Sequence, residues 1–430
     1  MRLQGDYQAR HNLTVRDQRE IDMHSIKTTR RVFLTATAMV LTKLKPVRCA
    51  WASGTDLEEF IRGQMETAHI PGLGICVVRG ERIAWSKGYG WANIEQRMAM
   101  TPDSLMNIAS VSKTVTATAL MQLWESGKFQ LDEDVNSHLP FRVKNPFHPE
   151  DDITFRQLLT HTSSIKDGSA YGKSYTCGDP AKPLGSWLKD YLTPEGALYR
   201  KEESYSDWKP GEKFDYTNVG FGLAGYLVEI ISGMPFVEYC KARIFKPLRM
   251  DETSWLIADL PRAKQAVPYT YISEGKARGQ LLEEHPRSAG TLPREGYIGN
   301  CFYSFPNLPD GLVRTSVNQL ARFVIVWLNR GVSGGTRVLR ADTVAEMLRE
   351  QFPKLQGLAW RAEKSPGGDL VWGHGGADPG VSTTVRFRLS DKKGVLLFAN
   401  TGGVGRQLSE ISARLFQETG LPALLPAAEE

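Results

Sequence analysis

The chain has few cysteines, no excess of charge over most of its length and no internal repeats, and these absences exclude several classes of protein. Its five cysteines in 430 residues form no Cys-x-x-Cys pair and no Cys/His cluster, so no zinc site is predicted. The formal net charge of +5 is concentrated at the N-terminus, because residues 1–52 carry ten Lys/Arg against four Asp/Glu. The remainder is close to neutral, so no nucleic-acid partner is expected.

The composition is that of a large soluble protein, with strands near both ends of the chain and helices between them. Hydrophobic residues make up 41% and charged residues 23% of the sequence, which is ordinary for globular proteins. An amphipathic helical pattern at Asp56–Ala68 is followed by two strand-like runs joined in hairpin fashion at Gly80-Glu81. This order predicts an α+β fold: one sheet closed by distant segments, with a helical insertion at about residues 140–300. The predicted strands are Leu73–Arg79, Arg82–Tyr89, Gly357–Arg361, Leu370–Trp372, Ser382–Leu389 and Val395–Ala399.

Residues 1–52 have the features of an export leader in front of a single domain at residues 53–425. Thr29-Arg30-Arg31 precedes the apolar run Val32–Leu41, and Ala50-Trp51-Ala52 has a small-x-small cleavage pattern. The segment resembles a twin-arginine signal, which implies a periplasmic or extracellular protein. Because a bilayer span needs about 20 apolar residues, membrane attachment is expected only through an uncleaved leader. The alternative is a disordered basic N-terminus. Residues 1–22 are polar with no fold signal, which makes Met23 a candidate for the true start.

The cysteines outside the leader fall into two kinds of sequence. Cys76 lies in a strand-like run and Cys240 in a helix-like run, so both are expected to be buried thiols. Cys177 and Cys301 lie in loop-like sequence and are expected to pair in an oxidising compartment. Cys49 belongs to the leader.

A serine and a lysine three residues apart open an uncharged helix. Ser110-Val111-Ser112-Lys113 is followed by no charge before Glu125, which predicts a helix inside the protein. Residues three apart share a helix face, so the amine can serve as base for the hydroxyl, and burial is expected to lower the lysine pKa. Five further Ser-x-x-Lys matches lie in loop-like or polar stretches and are interpreted as solvated: Ser163–Lys166, Ser186–Lys189, Ser206–Lys209, Ser273–Lys276 and Ser390–Lys393.

Two more motifs carry groups that suit the same chemistry. Tyr216 near a lysine is expected to have a lowered pKa and to pass on the serine proton, and the amide of Asn218 to contact substrate or lysine. His374-Gly375-Gly376 follows a predicted strand, where glycines let a substrate backbone approach. The backbone amides of Ser110 and Ala377 are then predicted to form an oxyanion hole. Taken singly, these residues also have structural interpretations: Tyr216 as a core residue, Asn218 as a helix cap and His374 as a turn residue.

Taken together and in this order, the three motifs resemble those of the serine β-lactamase and penicillin-binding-protein superfamily, in particular its class C β-lactamase, DD-carboxypeptidase and esterase branch. The resemblance covers roughly residues 56–417 and includes Leu158–Ser163 and Phe245–Leu248. It implies a β-lactamase/transpeptidase-like antiparallel sheet flanked by helices, beside an all-helical lobe. It assigns Ser110 as acylated nucleophile, Lys113 and Tyr216 as proton-handling pair, and Asn218 and His374 to Gly376 as substrate contacts. No metal or organic cofactor is implied.

The resemblance implies a serine hydrolase that forms an acyl-enzyme on an ester, a D-amino acid type peptide or a β-lactam amide. Its partner is accordingly a small-molecule or peptide substrate. Class C β-lactamases usually carry Lys-Thr-Gly where this chain has His374-Gly375-Gly376, and a mostly neutral histidine replaces that cation. Esterase or carboxypeptidase activity is therefore expected in preference to efficient β-lactam hydrolysis. A class C β-lactamase and a non-catalytic penicillin-binding-like protein are the alternatives.

Two rival nucleophile sites have structural interpretations. Gly331–Gly335 matches the Gly-x-Ser-x-Gly elbow, but it follows a predicted helix at Val317–Asn329 where that elbow must follow a strand. It is interpreted as a helix end and turn. His161 is a candidate member of a Ser-His-Asp triad and is interpreted as a loop anchor.

Overall fold

The computed structural model describes residues 54–283 and 292–418. The predictions for the leader, for Met23 and for Cys49 lie outside the described residues.

The described strands, in chain order, are β1 (Gly72–Arg79), β2 (Arg82–Asn93), β3 (Met98–Ala99), β4 (Met106–Asn107), β5 (Thr176–Cys177), β6 (Tyr269–Ser273), β7 (Lys276–Ala277), β8 (Glu295–Gly299), β9 (Tyr303–Ser304), β10 (Arg314–Thr315), β11 (Val332–Ser333), β12 (Thr336–Arg337), β13 (Arg361–Lys364), β14 (Leu370–Asp378), β15 (Val381–Arg388) and β16 (Lys393–Ala399). The main sheet has seven antiparallel strands in the order β13-β14-β15-β16-β1-β2-β3. Strands from the two ends of the described chain therefore meet at its centre, as the sequence predicts.

Helices cover both faces of the sheet and, together with the short strands β5 to β12, make up the segment between β4 and β13. They are α1 (Gly54–Ala68), α2 (Ser112–Glu125), α3 (Phe155–Leu159), α4 (Ser169–Gly172), α5 (Leu184–Leu192), α6 (Lys201–Ser204), α7 (Val219–Ser232), α8 (Phe236–Cys240), α9 (Val317–Leu328), α10 (Ala341–Met347) and α11 (Gly405–Gln417). A single turn of 3₁₀ helix, Ala109–Val111, leads into α2, and a π-helical turn, Lys241–Phe245, follows α8.

Strand β1, in the interior of the main sheet, is buried on both faces because its alternate side chains enter two different cores. Ile75 and Val77 belong to a cluster with residues of α1 and α11. Cys76 and Val78 point to the opposite face and belong to the larger cluster that includes α9. This two-residue alternation is the geometry of a strand between two helical layers. The sheet is therefore a rigid support for the segments at its edge.

Helix α7 is apolar on nearly all sides, as expected of a helix inside a protein rather than at its surface. It packs against α2 and against the segment Asn307–Asp310. A Cβ atom on Gly225 would lie 2.4 Å from the Pro309 ring, so glycine is needed for this close approach. The packing brings the chain around residue 310 beside the start of α2.

The disulfide expected from the sequence is confirmed, since Cys177 and Cys301 are joined. The bond joins Cys177 in β5 to Cys301, which lies two residues before β9. Strands β5 and β9 pair with each other. Cys76 and Cys240 are free thiols with buried side chains, as predicted.

Of three predictions about local structure, one is wrong, one is refined and one is confirmed. The predicted strand Gly357–Arg361 is wrong, because the Gly357 amide bonds the Trp360 carbonyl in a turn and β13 begins only at Arg361. The predicted strand Leu370–Trp372 continues to Asp378, so His374 lies within β14 rather than after it. The Gly331 segment is a helix end and turn as predicted: its amide bonds the Val326 carbonyl of α9, at 2.7 Å.

Among the described residues no single helix has the length and apolar composition needed to cross a membrane. The pair Val219–Ser232 and Phe236–Phe245 meets both criteria only when joined, and it is bent by 80°.

Candidate active site

Ser110 lies in the 3₁₀ turn immediately before α2, not inside the helix itself. The preceding residue, Ala109, has a positive φ of 47°, a conformation that non-glycine residues rarely adopt. Two contacts hold this bend: the Ala109 amide donates to Asn107 Oδ1 at 2.8 Å, and Thr383 Oγ1 donates to the Ile108 carbonyl at 2.7 Å. The turn that presents Ser110 is thus tied to both β4 and β15.

Lys113 is fully buried, and its ammonium is held by three acceptors. Its Nζ donates to Ser110 Oγ at 3.1 Å, to Asn218 Oδ1 at 2.6 Å and to the Asp310 carbonyl at 2.8 Å. Almost all of α2 is buried with it, which confirms the predicted position of this helix inside the protein. An amine and a hydroxyl therefore meet at hydrogen-bond distance.

The other Ser-x-x-Lys matches do not bring an amine to their serine anywhere in the described structure. Their interpretation as solvated pairs in loops is only partly correct, because Ser163 and Ser206 are buried and Ser186–Lys189 lies on α5. Ser186 and Lys189 are nevertheless both exposed. This pair is consequently a useful control, with the same spacing on a helix and no buried amine.

Tyr216 stacks on His161, with ring centroids 4.2 Å apart, and Lys113 Nζ lies 5.0 Å from the centroid of the tyrosine ring. The residue is 37% exposed, so the desolvation acts on its hydroxyl end rather than on the whole ring. Burial raises the pKa of Tyr216, and the Lys113 charge only partly offsets this. The predicted lowering of its pKa is wrong, because the low-dielectric surroundings oppose a phenolate more strongly than one ammonium favours it.

The predicted lowering of the Lys113 pKa is also wrong. Burial does disfavour the ammonium, but the opposing influence of Tyr216, Asp310 and Asp167 outweighs it and raises the pKa above its ordinary value. In the resting site Lys113 is thus a cation. A proton must leave this group of side chains before Ser110 can be deprotonated.

Asn218 stands at the N-terminus of α7, and Asp167 holds it there. The Asp167 carboxylate accepts a hydrogen bond from the side-chain Nδ2 of Asn218 at 2.8 Å. It also accepts from the backbone amides of Asn218 and Val219 at 2.9 Å and from Thr217 Oγ1 at 3.1 Å. This carboxylate complements the positive end of the helix and orients the Asn218 carbonyl oxygen towards Lys113. Sequence reasoning missed Asp167, since it lies in a loop with no motif of its own.

Asp310 is the second carboxylate that sequence reasoning missed. It is 2% exposed, and its Oδ1 lies 3.8 Å from Lys113 Nζ. The Tyr171 hydroxyl donates to both of its oxygens at 3.2 Å, and Asn307 Nδ2 donates to Oδ2 at 2.5 Å. Burial raises the pKa of Asp310 to about 8 despite the nearby ammonium of Lys113. Sequence reasoning missed it because a single acidic residue after Pro309 belongs to no motif that would place it beside Lys113.

His161 is placed beneath Tyr216 rather than beside Ser110. It is 2% exposed, and the Thr217 amide donates to its Nδ1 at 3.2 Å, which leaves the proton on Nε2. Burial lowers the pKa of His161 well below its usual range, so the ring is neutral. This supports its interpretation as a structural anchor, here for the tyrosine ring.

The third motif lies on β14, next to the turn that carries Ser110. A Cβ atom on Gly376 would come within 2.5 Å of the Ile108 carbonyl and 3.1 Å of Ala109 Cβ, so only glycine fits. Strand β13 pairs with β14 no further than Gly373, which leaves residues 374–378 with an open edge in the described structure. Asp378 pairs directly with Val381 across a two-residue turn, so by alternation the Ala377 backbone faces that edge.

We expect Asp310→Asn to speed the alkaline reaction of Ser110 with a fluorophosphonate. The Asp310 charge raises the pKa of Lys113, so its removal lets the amine form at lower pH. Because Asp310 is itself protonated below about pH 8, the variant should match the parent at pH 6.5 and exceed it at pH 9. One pKa unit corresponds to about tenfold in rate. Labelling rates across this range test the expectation.

The matched control is Asp179→Asn, because this carboxylate accepts hydrogen bonds from the backbone amides of Ile257 and Ala258, away from Lys113 and Ser110. Its labelling profile should follow that of the parent protein. An unchanged profile for Asp310→Asn would contradict an electrostatic effect of Asp310 on Lys113.

The antiparallel sheet, its flanking helices and the helices in the segment between β4 and β13 form a β-lactamase/transpeptidase-like fold. The chain belongs to the Beta-lactamase family, whose model matches residues 57–417.

The chain is similar to proteins of known structure, which share its fold, and to curated proteins. The chain is similar to a penicillin-binding protein homologue from Pyrococcus abyssi (TM-score 0.64, 22% identity, 85% of this chain and 76% of that one). It is also similar to the D-amino acid amidase from Ochrobactrum anthropi SV3 (TM-score 0.63, 21% identity, 84% of this chain and 98% of that one). Protein flp of Staphylococcus aureus (strain N315) is 27% identical over 217 residues, which are 50% of this chain. That match spans only 41% of the length of flp.

Proposed function

We propose that the protein is a serine hydrolase that works through an acyl-enzyme on Ser110. The observation that carries the proposal is the 3.1 Å hydrogen bond from the buried Lys113 ammonium to Ser110 Oγ, beside the open edge of β14. Membership of the Beta-lactamase family supports it. The substrate is a small molecule or peptide with an ester or amide carbonyl.

The proposed reaction has two halves. In the first, Lys113 or Tyr216, once deprotonated, takes the Ser110 proton while Oγ bonds to the substrate carbonyl carbon. The oxyanion accepts from the Ser110 and Ala377 amides, and the leaving group departs with the proton. In the second, water attacks the acyl carbon, the bond from that carbon to Ser110 Oγ breaks, the acid product leaves and the water proton returns to Oγ through the same pair. Since the pKa values of both proton carriers are raised, acylation should accelerate as pH rises.

Esters and simple amides suit this site better than β-lactams, which carry a carboxylate. His374 is partly exposed as a residue. Desolvation of its imidazole and the Lys113 charge nevertheless lower the pKa of His374 to about 4, so the ring is neutral at pH 7. The third motif therefore supplies no cation for a substrate carboxylate. The D-amino acid amidase likeness makes amides of D-amino acids a candidate class.

We also propose that the protein acts outside the cytoplasm. The Cys177–Cys301 disulfide supports this, because such bonds persist in oxidising compartments.

A side-by-side assay tests the proposed function. Purified protein would be given p-nitrophenyl butyrate, nitrocefin and a peptide ending in D-Ala-D-Ala, with Ser110→Ala as the blank. We expect the ester to be hydrolysed fastest and nitrocefin slowest. No turnover of any of the three, together with no fluorophosphonate adduct, would refute a hydrolase.

A further inference from the structure

We propose that Asp378 makes this site selective for substrates that carry a free, protonated amine, and selective against those that carry a carboxylate. The inference rests on the proposed function and narrows its substrate class. It starts from a carboxylate at the open edge of β14, one residue beyond the proposed oxyanion amide of Ala377.

The side chain of Asp378 lies on the face of β14 that is turned towards Ser110. Side chains alternate along a strand, so Asp378 shares a face with Gly376. Gly376 approaches Ala109, the residue before Ser110, so closely that no Cβ fits. Two residues further along, Asp378 is about 7 Å away and partly exposed. A group bound near Asp378 would therefore lie close to a carbonyl held at Ser110.

Two hydrogen bonds hold the Asp378 carboxylate in place without neutralising it. The Tyr175 hydroxyl donates to Oδ1 at 2.8 Å, and Asn107 Nδ2 donates to Oδ2 at 3.1 Å. Asn107 also bonds the Ala109 amide, so the same side chain links the carboxylate to the nucleophile turn. Two donors leave further lone pairs on the carboxylate for a ligand. Both donors are neutral, so neither hydrogen bond pairs the carboxylate with a positive charge.

The charged groups around Asp378 already have other partners. Lys113 is bound to Ser110, Asn218 and the Asp310 carbonyl. Arg314 donates to the backbone carbonyls of Trp255, Leu312 and Tyr303. Within the described residues no Lys or Arg forms an ion pair with Asp378. The remaining titratable neighbours, Tyr303 and Asp310, supply no positive charge.

The charge pattern of the open edge therefore favours an ammonium group. Neutral His374 stands at one end of the exposed segment and a carboxylate at the other, with no described side-chain cation between them. A substrate carboxylate would meet like charge there, whereas an ammonium would form a charge-assisted hydrogen bond with Asp378. The chemistry identifies the substrate class as amino acid amides, amino esters or short peptides with a free amino group.

The pH dependence follows from two titrations. Desolvation raises the pKa of Asp378 to about 6, so the carboxylate is charged above that pH. A substrate α-amino group has a pKa of about 7.7–8.0 and is charged below that pH. The preference for an amine should thus be largest near pH 7 and fall on either side.

Competition against one neutral reporter tests the proposal whether or not the competitor is turned over. Hydrolysis of p-nitrophenyl butyrate would be inhibited with D-phenylalanine amide, its N-acetyl derivative and its N-succinyl derivative, which differ in charge at one position. We expect the free amine to bind about ten- to a hundredfold more tightly than the N-acetyl compound, and the succinyl compound to bind most weakly. In Asp378→Asn the three inhibition constants should converge.

Two controls separate charge from structure. Tyr175→Phe removes a hydrogen bond but keeps the carboxylate, so it should retain the preference. Asp179→Asn removes an unrelated carboxylate and should behave as the parent protein. If Asp378→Asn does not fold, the pH dependence of the inhibition ratio in the parent protein serves instead, and it should peak near pH 7.

The outcomes are distinct. Equal inhibition by amine and N-acetyl compounds in the parent protein, or a preference that survives Asp378→Asn, would overturn the proposal. Loss of reporter hydrolysis together with the preference would mark Asp378 as structural. Reporter hydrolysis that survives Ser110→Ala would instead overturn the proposed function, independently of Asp378.

Discussion

Replacing Ser110 with alanine should abolish covalent labelling by a fluorophosphonate and lower ester hydrolysis by at least about 10³-fold. The hydroxyl is the proposed nucleophile, and loss of a nucleophile leaves only the catalysis that binding and the oxyanion donors supply. The fold should be unaffected, because Ser110 is not fully buried and the substitution removes a single oxygen atom. Mass spectrometry of the labelled protein and initial rates with p-nitrophenyl butyrate provide the measurement.

The chain offers a matched control for this experiment. Ser186→Ala alters another Ser-x-x-Lys serine on a helix, but both that serine and Lys189 are exposed. This variant should label and hydrolyse like the parent protein. Labelling that persists in Ser110→Ala would place the nucleophile elsewhere. A parent protein that labels without turning over any substrate would favour the binding-protein alternative.

Replacing Lys113 with methionine should slow acylation by about 10²–10⁴-fold, the usual range for losing a general base. Methionine keeps most of the side-chain volume in this fully buried position, so the packing of α2 is preserved better than with alanine. The variant loses the only described amine that contacts Ser110 Oγ. Single-turnover labelling rates, with a thermal melt of the same sample, separate the chemical effect from a folding effect.

Lys189→Met provides the comparison, because that lysine is exposed on α5 and should leave the rate unchanged. Acylation of Lys113→Met at the parent rate would indicate that Tyr216, not Lys113, is the general base. A large fall in melting temperature without any change in the labelling rate would show that Lys113 only supports the fold.

Much of the architecture could be predicted because it depends on local patterns. The β1–β2 hairpin at Gly80-Glu81 and the buried helix after Ser110 both follow from short-range periodicity and turn residues. Predictions failed where a long-range contact overrode the local pattern. Gly357–Trp360 has a strand-like composition, yet it turns because Gly357 lies against the Met347 carbonyl of α10.

By itself the sequence determined the three motifs, their order, the α+β class and a plausible disulfide, because these depend on residue types and spacing. Only the tertiary structure decided which charges surround the nucleophile. Asp167, Asp310 and Asp378 come from three separate segments, and Asp310 approaches Lys113 across 197 residues of chain. The influence of Tyr216, Asp310 and Asp167 reverses the pKa shift that burial alone would impose on Lys113, because Coulomb interactions depend on distance in space and are strengthened in a buried site.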